Sequence, residues 1–239
     1  MRLTKFLLVM FLLFSTFSIV LQAANVAEIK ARKKLIMLCH PDPLGFVNET
    51  SPGKFEGLDV EIMKTLANSL GVALEVKPLE SFKDLIPALL ADQGDVIASS
   101  VTITKEREKI VNFSEPYFPV VMIIVVKKDS KISNKGELSG KRCSVSRGTI
   151  MEDQMKTISN VKLIDAADSA AQYKALSKGE ADFAPFDSTS VIGSIDKYPN
   201  LKIAFHLPER YDYGFAVAPD NDLKDAINAH LKKMQDSGA

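Results

Sequence analysis

From residue 35 onward the chain uses one grammar twice: a short apolar run, a stretch of helical period, then further apolar runs that end on polar clusters. Short apolar runs bounded by turn signals read as buried strands, and apolar residues at three- and four-residue spacing read as helices. Strands alternating with helices bury their faces as helix-covered sheets, so the predicted fold class is α/β. In the first series strands are predicted over 35–39, 72–76 and 95–98, with helices over 58–70 and 81–90. Ile62, Met63, Leu66, Ala67 and Leu70 share one face of the first helix, and Gly71 follows as a C-terminal cap. Ser81 is the expected cap of the second. The second series predicts strands over 141–146, 161–164 and 181–185, with helices over 150–158 and 169–177.

The two series also agree in detail. Leu89 stands six residues before Asp95 and Leu176 six before Asp182, and the strands that follow run into Ser99-Ser100 and Asp187-Ser188. The economical reading is a two-lobed molecule, with 25–119 and 214–239 in one lobe and 127–209 in the other. The uninterrupted apolar run 120–126 and the segment 210–213 are predicted to be the two crossings of a hinge.

The first 24 residues stand apart from this pattern. Arg2 and Lys5 precede an apolar run over 6–21, and Gln22-Ala23-Ala24 brings small residues before Asn25. This is the layout of a secretory signal cleaved near Ala23 or Ala24; the run is shorter than the roughly 20 residues a membrane span needs. The protein is expected to be soluble and exported. The 30 basic and 30 acidic residues balance, and removing Arg2 and Lys5 makes the remainder slightly acidic. Such a chain lacks the cationic excess of a nucleic-acid binder. Two cysteines in an exported chain raise the question of a disulfide, but Cys39 and Cys143 both fall in predicted strands of different lobes, and two buried free thiols are expected. Cys39 lies too far from the signal's end to carry a lipid anchor.

Ligands of α/β sheets collect beyond the carboxyl ends of strands, which directs attention to His40, to 99–107, to 146–150 and to Asp187. The segment Ser99-Ser100-Val101-Thr102-Ile103-Thr104 leads into a short helix that Thr104 can cap, carrying Arg107. A guanidinium is a two-pronged partner for a carboxylate. The competing reading makes Arg107 one more solvated charge within Lys105-Glu106-Arg107-Glu108-Lys109. Asp187 follows the apolar Phe183-Ala184-Pro185-Phe186, where a carboxylate needs a partner; a ligand ammonium would serve, and so would a role as helix cap. Ser146-Arg147-Gly148-Thr149 offers amide donors to an anion ahead of the next helix. His40, His206 and His230 are scattered, and no metal-binding spacing, phosphate loop or nucleophile elbow occurs, so neither cofactor, metal nor catalytic residue is expected.

Taken in order, Gly57-Leu58-Asp59-Val60-Glu61-Ile62, Asp95-Val96-Ile97-Ala98-Ser99-Ser100-Val101-Thr102-Ile103-Thr104 with Arg107, Phe113-Ser114-Glu115-Pro116-Tyr117, Leu138-Ser139-Gly140-Lys141-Arg142, Gly148-Thr149, Gly179 with Asp182, Asp187 and Tyr213-Gly214 form a familiar set. The chain resembles the bacterial periplasmic solute-binding proteins that serve ABC importers of polar amino acids. The resemblance implies a type II periplasmic-binding-protein fold and a monomer whose partners are a free amino acid and a membrane permease. It implies that Arg107 holds the α-carboxylate, with the amides of Thr102, Thr149 and Ile150. Asp187, the Ser100 carbonyl and the Thr102 hydroxyl would hold the α-ammonium, while Ser146, His40 and Phe82 complete the lining. His40 stands where binders of basic amino acids carry an acid, and Pro43 replaces a following aromatic, which argues against a strongly cationic side chain. The family pattern continues with a further helix turn and an aromatic tail beyond Ala239. Two other readings remain: a cyclohexadienyl-dehydratase-like enzyme on the same fold, which would need an added cleft acid, and a ligand-sensing module.

Overall fold

The computed structural model describes residues 25–42 and 45–238; the expected signal over 1–24, Pro43 and Ala239 lie outside the described residues. A short helix α1 (Val26–Ala31) precedes strand β1 (Lys34–Cys39). A hairpin of β2 (Asn48–Ser51) and β3 (Lys54–Glu56) leads into α2 (Leu58–Leu70) and then β4 (Ala73–Pro78). Helix α3 (Leu85–Leu90) joins β4 to β5 (Val96–Ile97), and β6 (Asn112–Phe113) follows. The second series is β7 (Phe118–Lys127), β8 (Arg142–Ser146), α4 (Ile150–Lys156), β9 (Lys162–Ala166), α5 (Ser169–Lys178), β10 (Phe183–Asp187), α6 (Ser188–Ser194) and β11 (Leu201–Tyr213). The chain then returns through β12 (Ala216–Val217) and α7 (Leu223–Ser237).

These strands form two separate five-stranded sheets, ordered β4-β1-β5-β12-β6 and β11-β7-β10-β8-β9. Each has a parallel trio, β4-β1-β5 in one and β9-β8-β10 in the other, extended by antiparallel strands. Strand periodicity supplies two cores per sheet, because successive side chains leave on opposite faces. Leu35, Met37 and Cys39 pack with Met63, Leu66 and Leu231 on one face of the first sheet, and Leu38 packs with Leu85 and Leu89 on the other. In the second sheet Ile124 and Val126 pack with Cys143 and Met155, while Val125 packs with Tyr173 and Leu176. Cys39 and Cys143 are buried free thiols in different sheets, and burial pushes the Cys39 thiol up to about 12 and Cys143 also up.

The internal echo has a structural basis. The Asp95 amide donates to the Ile36 carbonyl while its carboxylate accepts from the Ile36 amide; Asp182 does the same with Arg142. Each aspartate thus staples the third parallel strand of its sheet to the first.

Two local expectations change. Ser81 makes no capping bond, and the predicted helix 81–90 begins as a 3-10 turn over Phe82–Asp84 before α3. An α-helix running through from Phe82 would require an amide hydrogen at residue 87, and Pro87 has none. The run 120–126, expected as a bare crossing, continues as β7 into the middle of the second sheet, between β10 and β11. Only its leading end pairs with 210–213, as Phe118 faces Tyr213 and Val121 faces Arg210.

Candidate functional site

Between the two sheets lies a cleft, partly open to solvent and lined by residues from the loops of both. All nine residues singled out from the sequence line it: His40, Phe82, Ser100, Thr102 and Arg107 from the first sheet's loops, and Ser146, Thr149, Ile150 and Asp187 from the second's.

Arg107 is half-buried although Lys105, Glu106, Glu108 and Lys109 beside it are exposed. Its backbone amide donates to the Thr104 hydroxyl, but the helix amounts to one 3-10 turn over Arg107–Lys109 whose N-cap is Glu106, so Thr104 closes the preceding turn and is not the cap expected from the sequence. Nη1 donates to the Thr102 carbonyl at 2.7 Å, Nη2 to the Gly148 carbonyl at 3.0 Å, and the guanidinium lies 5.6 Å from the Phe82 ring centroid. A guanidinium has five N–H donors, so these two bonds and the ring orient the fork without using it up.

Asp187 ends β10 and precedes α6, yet its side chain makes no capping bond. Instead it accepts the Tyr213 hydroxyl at 2.5 Å. Burial pushes the carboxyl up to about 7, against the opposing pull of Tyr213 and of Arg107. A carboxylate held this way gains from any cation delivered into the cleft.

Supporting groups lie one layer behind. Ser100 has a left-handed backbone, φ 51°, held by its amide donating to Asp59 Oδ2 at 2.8 Å. Asp59 is fully buried on α2 and also accepts the Tyr117 hydroxyl at 2.6 Å; burial pushes its carboxyl up to about 7. On the opposite wall Glu152 accepts the Gly148 amide at 2.8 Å and pairs with Arg147, fixing the turn that precedes α4. The Thr149 hydroxyl caps α4 by accepting from the Glu152 amide, so only the backbone of 149 and 150 is left to offer donors. Gly148 sits at φ +75°, where a Cβ would stand 2.7 Å from Lys83 Cβ; the two sides of the cleft meet there.

Tyr213, Asp59, Glu152, Asp42, Asp168, Ser169 and Gln172 were missed by the sequence reading. Asp42 and Asp168 add two carboxylates to the cleft wall, and Asp42 accepts the Ser169 hydroxyl across it at 2.7 Å. Asp59 alone left a local signal: it falls three and four residues before Ile62 and Met63, on the apolar stripe of α2. Among the described residues no group of three or more His, Cys, Asp or Glu side chains is placed to hold a metal ion.

Comparison with known proteins agrees with this architecture. A model of the bacterial extracellular solute-binding proteins, family 3, matches residues 35–239. The chain is 32% identical over 223 residues to the arginine-binding extracellular protein ArtP of Bacillus subtilis, covering 90% of this chain and 86% of that one. An arginine-bound mutant of ArgBP from T. maritima superposes with a TM-score of 0.83 at 34% identity, over 88% of this chain and 100% of that one. The chain also matches membrane-bound lytic murein transglycosylase F of Pseudomonas syringae at 28% identity, where it spans only 39% of the larger protein.

Proposed function

Because the chain belongs to the bacterial extracellular solute-binding proteins, family 3, we propose that it is an exported receptor that binds a free α-amino acid between its lobes and delivers it to an ABC importer. The observation that carries this reading is the pairing, in one cleft, of a half-buried guanidinium at Arg107 with a half-buried carboxylate at Asp187. A zwitterion loses much hydration on entering such a cleft unless each end meets a fixed opposite charge. Arg107 would take the α-carboxylate with the amides at Thr149 and Ile150; Asp187 would take the α-ammonium with the Ser100 carbonyl and Thr102. His40, Phe82 and Ser146 line the space left for the side chain. A secretory signal over 1–24 would deliver the protein to the periplasm, where it would act as a monomer and meet a membrane permease.

The sequence argument against a strongly cationic side chain rested on His40 in place of an acid and on Pro43 in place of an aromatic. Pro43 lies outside the described residues, and Asp42 and Asp168 on the same cleft wall supply the acids that His40 does not.

Asp42, with Asp168, also gives the dehydratase-like reading its specific support, an added acid between the lobes. Turnover of a cyclohexadienyl substrate, lost in Asp42→Asn, would replace the receptor reading. The direct test of the receptor is a thermal-shift screen with the twenty amino acids, in which a ligand at 100 Kd adds about 2.7 kcal/mol of stability. Arg107→Ala is expected to abolish that shift and Arg107→Lys to restore little of it, because a point charge does not reproduce the fork. An unchanged shift in Arg107→Ala would sink the proposal.

A further inference from the structure

The cleft holds more negative charge than a neutral amino acid can satisfy. A zwitterion brings one carboxylate for Arg107 and one ammonium for Asp187, and those two pairs cancel. Asp42 and Asp168 remain on the wall. Asp168 is partly answered, since it caps α5 by accepting the Ala171 amide at 2.7 Å and sits at the positive end of that helix. Asp42 is not. Its Oδ2 takes the Ser169 hydroxyl, but Oδ1 is buried and has no hydrogen-bond partner among the described residues. Buried polar atoms are nearly always paired, so an unpaired carboxylate oxygen at a cleft wall asks for a donor from outside the chain.

Four other side chains of the same cleft, His40, Gln172, Ser146 and Ser169, have their donors engaged. His40 Nδ1 lies 3.1 Å from the Leu79 carbonyl, which assigns the proton to Nδ1 and leaves Nε2 as an acceptor in the neutral ring. The Gln172 amide nitrogen is tied to the Ser144 and Pro185 carbonyls, and the Ser146 hydroxyl donates to Gln172 Oε1. The Ser169 hydroxyl is already used on Asp42. Two carboxylates, an imidazole acceptor and no unengaged donor among these groups describe a pocket for a cation.

Building on the receptor reading above, we propose that the ligand's side chain is cationic, of the guanidinium or ammonium class, and that Asp42 is the residue that selects it. Asp42 Oδ1 receives the charged end, with Asp168 adding attraction at longer range. The direction of its ionisation agrees: burial, reinforced by Asp168, pushes the Asp42 carboxyl up to about 6, as befits a carboxylate without a counter-ion. The same arrangement excludes acidic amino acids, whose side-chain carboxylate would face Asp42 directly.

Calorimetry with L-arginine and L-citrulline isolates the charge, because citrulline keeps arginine's length and planar end but is neutral. The wild-type protein is expected to bind arginine, or lysine, about tenfold or more tighter than citrulline or glutamine. Asp42→Asn should shrink the arginine-to-citrulline ratio to within about threefold, chiefly through weaker arginine binding. Citrulline or glutamine binding as tightly as arginine in the wild type would overturn the proposal and leave the receptor reading standing. So would a ratio that survives in Asp42→Asn. Failure of all twenty amino acids to bind would overturn both. The wild-type ratio decides the charge class of the ligand even if Asp42→Asn does not fold, and Asp42→Glu, which keeps the charge and should keep a ratio above about threefold, then tests the residue.

Discussion

A single proton on Asp187 sets the pH range in which the cleft can hold an ammonium. Burial raises that carboxyl to about 7, and the ligand needs it ionised. Affinity for an amino acid is therefore expected to be full above pH 7 and to fall as pH drops below it, by at most about tenfold per unit. Binding near pH 6 should release a proton, which calorimetry in two buffers of different ionisation enthalpy will count; a flat profile from pH 5.5 to 8 contradicts the assignment. Asp42, pushed up to about 6, adds a second release for a cationic ligand and none for a neutral one. The thiols offer a simpler check. Cys39 and Cys143 are buried, and burial suppresses the reactive thiolate, so native protein should resist a thiol reagent while unreduced, denatured protein yields both.

Helix α2 shows how an element can be legible in sequence while its functional side chain is not. Its limits, Leu58–Leu70, follow from the apolar stripe and from Gly71, whose left-handed φ of 74° caps the end. Asp59 reads locally as a favourable acid in a first helical turn. Its partners, Ser100 and Tyr117, lie 41 and 58 residues away, beyond any local pattern. The same holds for Asp187 and Tyr213, and for Asp42 and Ser169. Strands and helices were visible because periodicity is a short-range property, and Arg107 and Asp187 because strand ends are predictable places. What binds them together is long-range and had no such signature. Asp59→Ala would leave the Ser100 amide and the Tyr117 hydroxyl without their acceptor, so a loss on the order of 3 kcal/mol in stability is expected. Ligand affinity should fall as well, because Ser100 loses what holds its left-handed backbone. Denaturant melts with and without ligand will separate the two effects; unchanged affinity in a folded variant would show that Ser100 holds its conformation unaided.

At the scale of the whole molecule, one tight approach across the cleft is Gly148 against Lys83. Gly148→Ala would put a methyl 2.7 Å from Lys83 Cβ and force an L-residue to φ +75°. Ligand affinity should drop about tenfold or more, and the melting temperature without ligand by the few degrees that a local backbone strain of about 1–2 kcal/mol brings. Small-angle scattering should show a ligand-induced compaction in the wild type that is smaller in the variant; equal compaction would mean that the contact does not limit closure. The second feature at this scale is the ribbon that links the halves. Its two strands are laddered together from Phe118 and Tyr213 to Val121 and Arg210, and a register shift between His206 and Arg210 sets the ribbon off from the sheet-bound remainder. Two independent tethers would let the lobes slide, twist or swing in any combination. Strands sharing one ladder cannot slip past each other without breaking its hydrogen bonds, so bending and twisting of a single strip are the motions left. Opening is thereby reduced to few degrees of freedom, and the two crossings should move in concert, in the manner of a leaf spring.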